Sequence, residues 1–201
     1  MGGTRDIYFA GGCFWGVEEF FSRVPGVVDA VSGYANGHTE NPTYREVCSD
    51  QTGFAETVRV TYDPRIISLK ELAKAFFRII DPTSANRQGA DVGTQYRSGI
   101  FYVNEADRAV LEEVFVLIRA EVGDAVVTEL SPLRNFFEAE DYHQDYLQKN
   151  PGGYCHVNFD LLEYVAGEPR AAAEETEQRT REEAALAVDV SAATADATAA
   201  T

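Results

Sequence analysis

Lysine is almost missing from this chain: Lys70, Lys74 and Lys149 stand against 14 arginines. Acidic residues outnumber basic ones by 33 to 17, a formal net charge of −16. With no basic stripe to displace counterions from phosphates, nucleic acid is not an expected partner. Cysteine is equally scarce. Cys13, Cys48 and Cys155 follow no repeating spacing, which fits a reducing compartment where a thiol is kept for its reactivity and not as a staple. Neither a CxxC nor an HxxxH pattern links them to His38, His143 or His156, so a zinc site has no support. Long apolar runs are absent, and Met1–Asp6 has no apolar h-region. The expectations are therefore no membrane partner and a cytoplasmic address.

What is present is enough for one core. A chain of 201 residues with 45% hydrophobic content accommodates a single folded domain with or without a tail. Ile7–Ala10 reads as a short buried strand, and Phe14, Val17, Phe21 and Val24 then mark one face of a helix. A second strand follows over Val27–Tyr34 and an aperiodic loop over Ala35–Gly53, long enough to be functional. Phe54–Tyr62 alternates as a half-buried strand. Ser68 and Glu71 form a capping box ahead of a helix that Asp81-Pro82 terminates. After the irregular Thr83–Arg97 come a strand at Gly99–Val103, a helix capped by Asn104, a strand at Val126–Glu129, a polar helix within Glu138–Lys149 and an extended Tyr154–Leu162. The order up to Val103 predicts an α+β fold with a ferredoxin-like split βαβ core. Its sheet is mixed and largely antiparallel, with helices packed on it and an irregular C-terminal segment. Residues 1–6 read as an N-terminal extension, 7–167 as the folded domain and 168–201 as a disordered acidic tail, since Ala171–Thr201 holds 12 alanines and no aromatic residue.

Chemistry is concentrated in a few positions. Cys13 sits where the apolar period changes from strand to helix, a place where free N–H groups and the helix dipole favour a thiolate. Phe14 and Trp15 suit either core filling or the wall of an apolar pocket beside the sulfur. Glu56 shares the strand parity of Val58 and Val60, so its carboxyl faces the apolar side, where desolvation raises its pKa and fits it to act as a general acid. The competing reading is a strand-end glutamate that reaches water beside a bulge. Cys155 follows Gly152 and Gly153, a hinge that lets a second thiol approach Cys13; the alternative is an idle surface cysteine. Cys48 reads as structural. These residues leave three classes open: a redox enzyme using two thiols, a cysteine hydrolase with His143 or His156 as base, and a non-catalytic module binding oxidised or apolar peptides.

Several long motifs stand in one order: GCFWG at 12–16, GY at 33–34, NPTYREVCS at 41–49, TGFAE at 52–56, DPT at 81–83, RQGADVGTQYRS at 87–98 and AEDYHQDYLQKNPGGYC at 139–155. Over roughly Ile7–Leu162 the chain resembles the peptide methionine sulfoxide reductase A family. The resemblance implies an oxidoreductase that repairs the S epimer of methionine sulfoxide, free or in oxidised proteins, without metal or cofactor. Cys13 corresponds to the attacking thiolate, which is left as a sulfenic acid. Phe14 and Trp15 correspond to walls around the substrate methyl, Tyr44, Glu56 and Tyr96 to the groups that bind and protonate the sulfoxide oxygen, and Asp91 to a further polar residue of the site. Cys155 corresponds to the resolving cysteine, giving a Cys13–Cys155 disulfide that thioredoxin reduces. A monomer is the expected state. Phe54 departs from the family pattern, standing where many relatives carry histidine, and no cysteine beyond Cys155 is present for a second relay step.

Overall fold

Residues 3–166 are described in the computed structural model of the chain; the tail read at 168–201 lies outside them. The central strand β1 (Arg5–Gly11) opens within the segment read as an extension and is buried from Ile7 onward. Helix α1 (Phe14–Ser22) follows, then β2 (Val27–Ala35), a single turn α2 (Tyr44–Val47) inside the loop, β3 (Ala55–Tyr62) and α3 (Leu69–Ile79). A two-stranded ribbon, β4 (Arg87–Gln88) with β5 (Asp91–Val92), precedes β6 (Ser98–Tyr102), α4 (Ala106–Val122), β7 (Glu129–Pro132), β8 (Phe136–Glu138) and the short α5 (Tyr146–Lys149). The main sheet runs β7-β6-β1-β3-β2-β8. Its inner four strands pair antiparallel in the split βαβ order, and β7 adds a parallel edge to β6. The ferredoxin-like core is thus present, widened by one strand at each side.

Alternation along β1 divides the core. Ile7 and Phe9 belong to the larger cluster, where the Phe9 ring stacks between Phe21 of α1 at 4.7 Å and Phe76 of α3 at 4.9 Å. Tyr8 and Ala10 face a smaller cluster with Ala35, Ala55 and Phe101. Both helices therefore press on one face, and burying the aromatic rings supplies the main driving force there. The α1–β1 junction is tight: a Cβ on Gly11 would lie 2.9 Å from the Phe76 ring.

Four readings of the sequence shift. The seventh strand is at Glu129–Pro132 and not Val126–Glu129, because its register with β6 places Glu129 opposite Gly99, while Val127 is exposed. The polar helix survives only as α5. Ahead of it, Gln144 exchanges hydrogen bonds with both backbone groups of Ser32, and Glu18 takes the Asp145 N–H at 2.9 Å, so the backbone is held as a loop. The extended segment from Tyr154 ends at Asn158, beyond which a 3-10 turn (Phe159–Leu161) leads into a short helix. Cys48, read as structural, is exposed at the end of α2.

The capping box ahead of α3 forms as read. Ser68 Oγ accepts from the Glu71 N–H at 3.2 Å, and the Glu71 carboxylate accepts from the Ser68 N–H at 2.7 Å. Ser68→Ala is expected to lower stability by about 1 kcal/mol in urea unfolding, with turnover unchanged. A shift below a few tenths of that size would show that the cap does not set the start of α3.

Candidate active site

The N-terminus of α1 is the origin of the site. Cys13 is its N-cap residue, only 8% exposed, with extended-like φ −57° and ψ 122° that aim the chain from β1 into the helix. Gly12 makes this turn possible at φ +82°, and a Cβ there would meet Gln88 at 2.5 Å. Glu56 lies on the neighbouring strand β3 with 1% exposure. Its Oε2 accepts the Phe14 N–H at 3.2 Å, so the carboxyl sits over the first turn of the same helix, while Oε1 is buried without a partner. Burial pushes the Glu56 pKa up to about 8; the Phe14 N–H offsets this and the Asp91 carboxylate adds to it. At neutral pH the group carries its proton.

The Cys13 thiol does not behave as its place at a helix start implies. Burial raises its pKa far above the usual thiol range, the Glu56 carboxylate raises it further, and the Trp15 backbone N–H lowers it only in part. Desolvation outweighs the helix terminus, so the resting sulfur is a thiol.

Two phenols approach from separate loops. Tyr44 opens α2, whose start is fixed by a capping box between Thr43 and Glu46. Tyr96 closes the 3-10 turn Thr94–Tyr96 just before β6. Burial and then the Glu56 carboxylate raise both hydroxyls well above the ordinary tyrosine value, which keeps them proton donors. Asp91 is carried by the β4–β5 ribbon, with Oδ2 buried and unpartnered. That ribbon is locked to the chain after α3 by Gln88, which accepts the Asp81 N–H and donates to the Asp81 carbonyl, both at 2.8 Å.

Aromatic rings complete the surroundings. Phe14 is 1% exposed and lies 5.0 Å from the His143 ring. Trp15 is half-buried and stacks on Tyr146 at 3.7 Å; its indole N–H donates to His143 Nδ1 at 3.0 Å. The His143 ring is itself 4.5 Å from that of Tyr44. Cys155 is half-buried and packs on α1, where its Sγ would lie 2.8 Å from a Cβ at Gly16. All three cysteines are free.

Sequence reasoning missed Glu140 and Gln88, which hold these parts, and weighed His143 only as a base or a metal ligand. Glu140 accepts the Tyr44 N–H at 2.9 Å and the Tyr34 hydroxyl at 2.8 Å, tying α2 to β2. His143 orients Trp15. Gln88 seats the ribbon under Gly12. Each lies in a polar or aperiodic stretch where burial leaves no periodic trace. The hydrolase alternative finds no nucleophile–base pair: one ring nitrogen of His143 is bonded to Trp15 and one of His156 to Gly11, and neither histidine hydrogen-bonds Cys13. Among the described residues no group of three or more His, Cys, Asp or Glu is placed to hold a metal ion, and no helix is long and apolar enough to cross a membrane.

A buried thiol at the start of a helix whose first turn also carries a proton-bearing carboxyl, with a second free thiol packed on the same helix at Gly16, defines a thiol-dependent enzyme on a ferredoxin-like core. The chain belongs to the peptide methionine sulfoxide reductase family, whose model matches residues 5–174. A peptide methionine sulfoxide reductase MsrA of Clostridium perfringens is 55% identical over 159 residues, covering 78% of this chain and 99% of that protein. The crystal structure of Mxr1 from Saccharomyces cerevisiae in reduced form is similar at a TM-score of 0.74 and 42% identity, over 78% of this chain and 92% of that one. Mxr1 in complex with Trx2 is also similar, at a TM-score of 0.52 and 31% identity over 72% and 85% of the two chains. The activity is the thiol-dependent reduction of methionine sulfoxide by an oxidoreductase.

The raised Glu56 pKa sets a pH signature. Its proton is bound more tightly in the folded protein, so the stability it contributes is full below the ordinary glutamate range and is lost as pH rises through about 8. Activity that depends on the protonated acid falls over the same upper limb. Glu56→Gln keeps an acceptor for the Phe14 N–H, and its melting temperature should lack this component while kcat falls. A wild-type kcat flat between pH 6 and about 9.5 would remove Glu56 as the proton source.

Proposed function

We propose that Cys13 and Cys155 carry the reduction in two balanced steps, with Glu56 as the acid. The observation that carries this is the proton-bearing Glu56 carboxyl lying on the Phe14 N–H, at the start of the helix that Cys13 caps. A sulfoxide oxygen leaves sulfur only once protonated. Glu56 gives its proton to that oxygen while Cys13 Sγ bonds to sulfur, and the thiol proton returns to the Glu56 carboxylate. Protonated again by Glu56, the oxygen leaves as water and the S–O bond breaks, leaving Cys13 Sγ bonded to a sulfonium. Water then adds to Cys13 Sγ, the Sγ–S bond breaks with methionine as the leaving group, and the spare proton returns to Glu56. Cys13 is left as a sulfenic acid. Sulfur is reduced and the thiol oxidised by two electrons. Cys155 Sγ then displaces the hydroxyl, forming a Cys13–Cys155 disulfide and releasing water. Two electrons and two protons from a dithiol restore both thiols.

Tyr44 and Tyr96 donate hydrogen bonds to the sulfoxide oxygen, and Asp91 adds a polar contact. Phe14 and Trp15 receive the S-methyl group, which offers nothing to hydrogen-bond. The substrate is the S epimer of methionine sulfoxide, free or in oxidised proteins. Thioredoxin is the dithiol, a reading supported by the related Mxr1 in complex with Trx2. The electrons pass between thiols, so the cycle calls for no bound cofactor. Free cysteines suit the reducing cytoplasm, and the catalytic unit acts as a monomer over 7–167.

One equivalent of sulfoxide given to reduced enzyme without reductant should produce a Cys13–Cys155 disulfide and leave Cys48 free. Cys13→Ser should release no methionine. Cys155→Ser should release one equivalent, accumulate a trappable sulfenic acid and fail to turn over with thioredoxin. Pairing of Cys13 with Cys48, or full turnover of Cys155→Ser, would falsify the assignment. In a separate test, truncation after Gly167 should leave turnover and thermal stability nearly unchanged, because residues 168–201 hold none of the proposed site; a large loss of either would contradict this.

A further inference from the structure

His156, the residue directly after the proposed resolving thiol, is not assigned a role by any of the chemistry above. Its surroundings are nonetheless specific. Nε2 lies 2.9 Å from the Gly11 carbonyl oxygen. A carbonyl only accepts, so Nε2 carries the proton and donates, leaving Nδ1 as a bare acceptor that is buried without a partner. The imidazole fills a cradle made by two glycines at positive φ. A Cβ on Gly12 would stand 3.2 Å from His156 Cε1, and one on Gly89 would stand 3.3 Å from His156 Cβ.

Its neighbours in sequence are held just as closely. Cys155 Sγ and Val157 Cγ2 would lie 2.8 and 2.9 Å from a Cβ on Gly16, and Val157 is 7% exposed. Residues 155–157 thus form a strap across the first turn of α1, in contact with the chain on both sides of Cys13. Gly152, by contrast, has nothing within 4 Å of where its Cβ would be. Gly153 is packed, with a Cβ there 3.0 Å from Leu147 and Tyr146, so the open point of the segment is Gly152, and the hold closest to the thiol on its far side is His156.

Gly16 is one helical turn from Cys13, a separation of about 5–6 Å between Cβ positions. A disulfide needs the two Cβ atoms within roughly 3.5–4.5 Å. Cys155, packed at Gly16, must move toward the start of α1 to reach Cys13, and must do so without drifting off the helix. We infer that the His156 Nε2–H bond to the Gly11 carbonyl is the fixed pivot about which Cys155 swings onto Cys13, making His156 a positioning residue for disulfide formation. This rests on the reading of Cys155 as the resolving thiol. The step it serves is the one already balanced: Cys155 Sγ bonds to Cys13 Sγ, the S–OH bond breaks, and hydroxyl and thiol proton leave together as water.

The test separates the two chemical steps. Reduced His156→Ala enzyme is mixed with one equivalent of methionine sulfoxide without reductant; methionine release and disulfide closure are followed separately, the latter by quenching with a thiol-blocking reagent and mapping. The expected result is a burst of one equivalent of methionine, disulfide closure slowed by about tenfold, as for one lost hydrogen bond, and longer-lived sulfenic acid trapped by dimedone. His156→Gln, which keeps a side-chain N–H donor, should restore most of the closure rate. Closure at the wild-type rate in His156→Ala would overturn the inference. So would loss of the methionine burst together with closure in both variants, since that marks general damage and not positioning. Cys155→Ser run alongside distinguishes the two failures: if it still turns over with thioredoxin, the resolving assignment itself is wrong; if it stalls while His156→Ala closes normally, only the pivot is wrong.

Discussion

The site depends on one buried contact, the Glu56 carboxyl on the Phe14 N–H at the start of α1. A carboxyl at 1% exposure with one oxygen unpartnered is costly to ionise. The fold tolerates it by leaving the group protonated, and neutral Glu56 is then also the form that can deliver a proton. Burial and reactivity are in this way the same property. The contact further couples β3 to α1, so the acid on one element and the thiol on another are held in register by the sheet pairing that sets Glu56 beside Tyr34.

The rest of the chain is arranged to let groups come near that helix turn. Gly11 lies close under the Phe76 ring, Gly12 accepts Gln88 and His156, and Gly16 accepts Cys155 and Val157. A side chain at any of the three would force its neighbours off. The glycines of the GGCFWG stretch therefore act by closeness of approach, with a positive φ required only at Gly12. Glu140 and Glu18 perform the corresponding task from the other side, anchoring α2 and the loop before α5 through backbone N–H groups. Glu18 is itself raised to about 7 by burial, partly offset by the Ser32 and Asp145 N–H groups it accepts. Loop residues can thus be placed as firmly as residues on strands when buried carboxylates collect their free donors.

Periodicity made the inner sheet and the first two long helices legible, because Phe9, Val58, Val60, Phe21 and Phe76 repeat with the period of their elements. The capping box at Ser68 and Glu71 was legible for the same local reason. The parity of Glu56 placed it on the apolar side without any knowledge of its partner. What stayed hidden depends on contacts far apart in sequence. Phe136–Glu138 pairs with β2 only because Gly33 leaves room for the Phe136 ring, and the segment before α5 is a loop only because Gln144 and Glu18 intercept its backbone groups. His143 and His156 looked like candidate bases, and their actual hydrogen bonds, to Trp15 and Gly11, are tertiary facts with no signature in spacing.

The raised pKa of Cys13 gives the proposed cycle a logic that a helix-terminus argument alone misses. A thiolate standing ready in the free enzyme would be open to any oxidant or electrophile that reached it. With thiol and carboxyl both protonated, the sulfur is poorly nucleophilic until a basic oxygen arrives beside Glu56. Proton transfer to that oxygen leaves a carboxylate next to the thiol, a base placed to take the thiol proton as Sγ bonds to the substrate sulfur. Nucleophile and leaving group are activated by one proton shift, which only a substrate carrying an acceptor oxygen at that position can trigger. In that proposed cycle the rings of Phe14 and Trp15 add the second condition, apolar contact with the methyl group, so discrimination rests on the joint presence of an S–O acceptor and a group that needs no hydrogen bond.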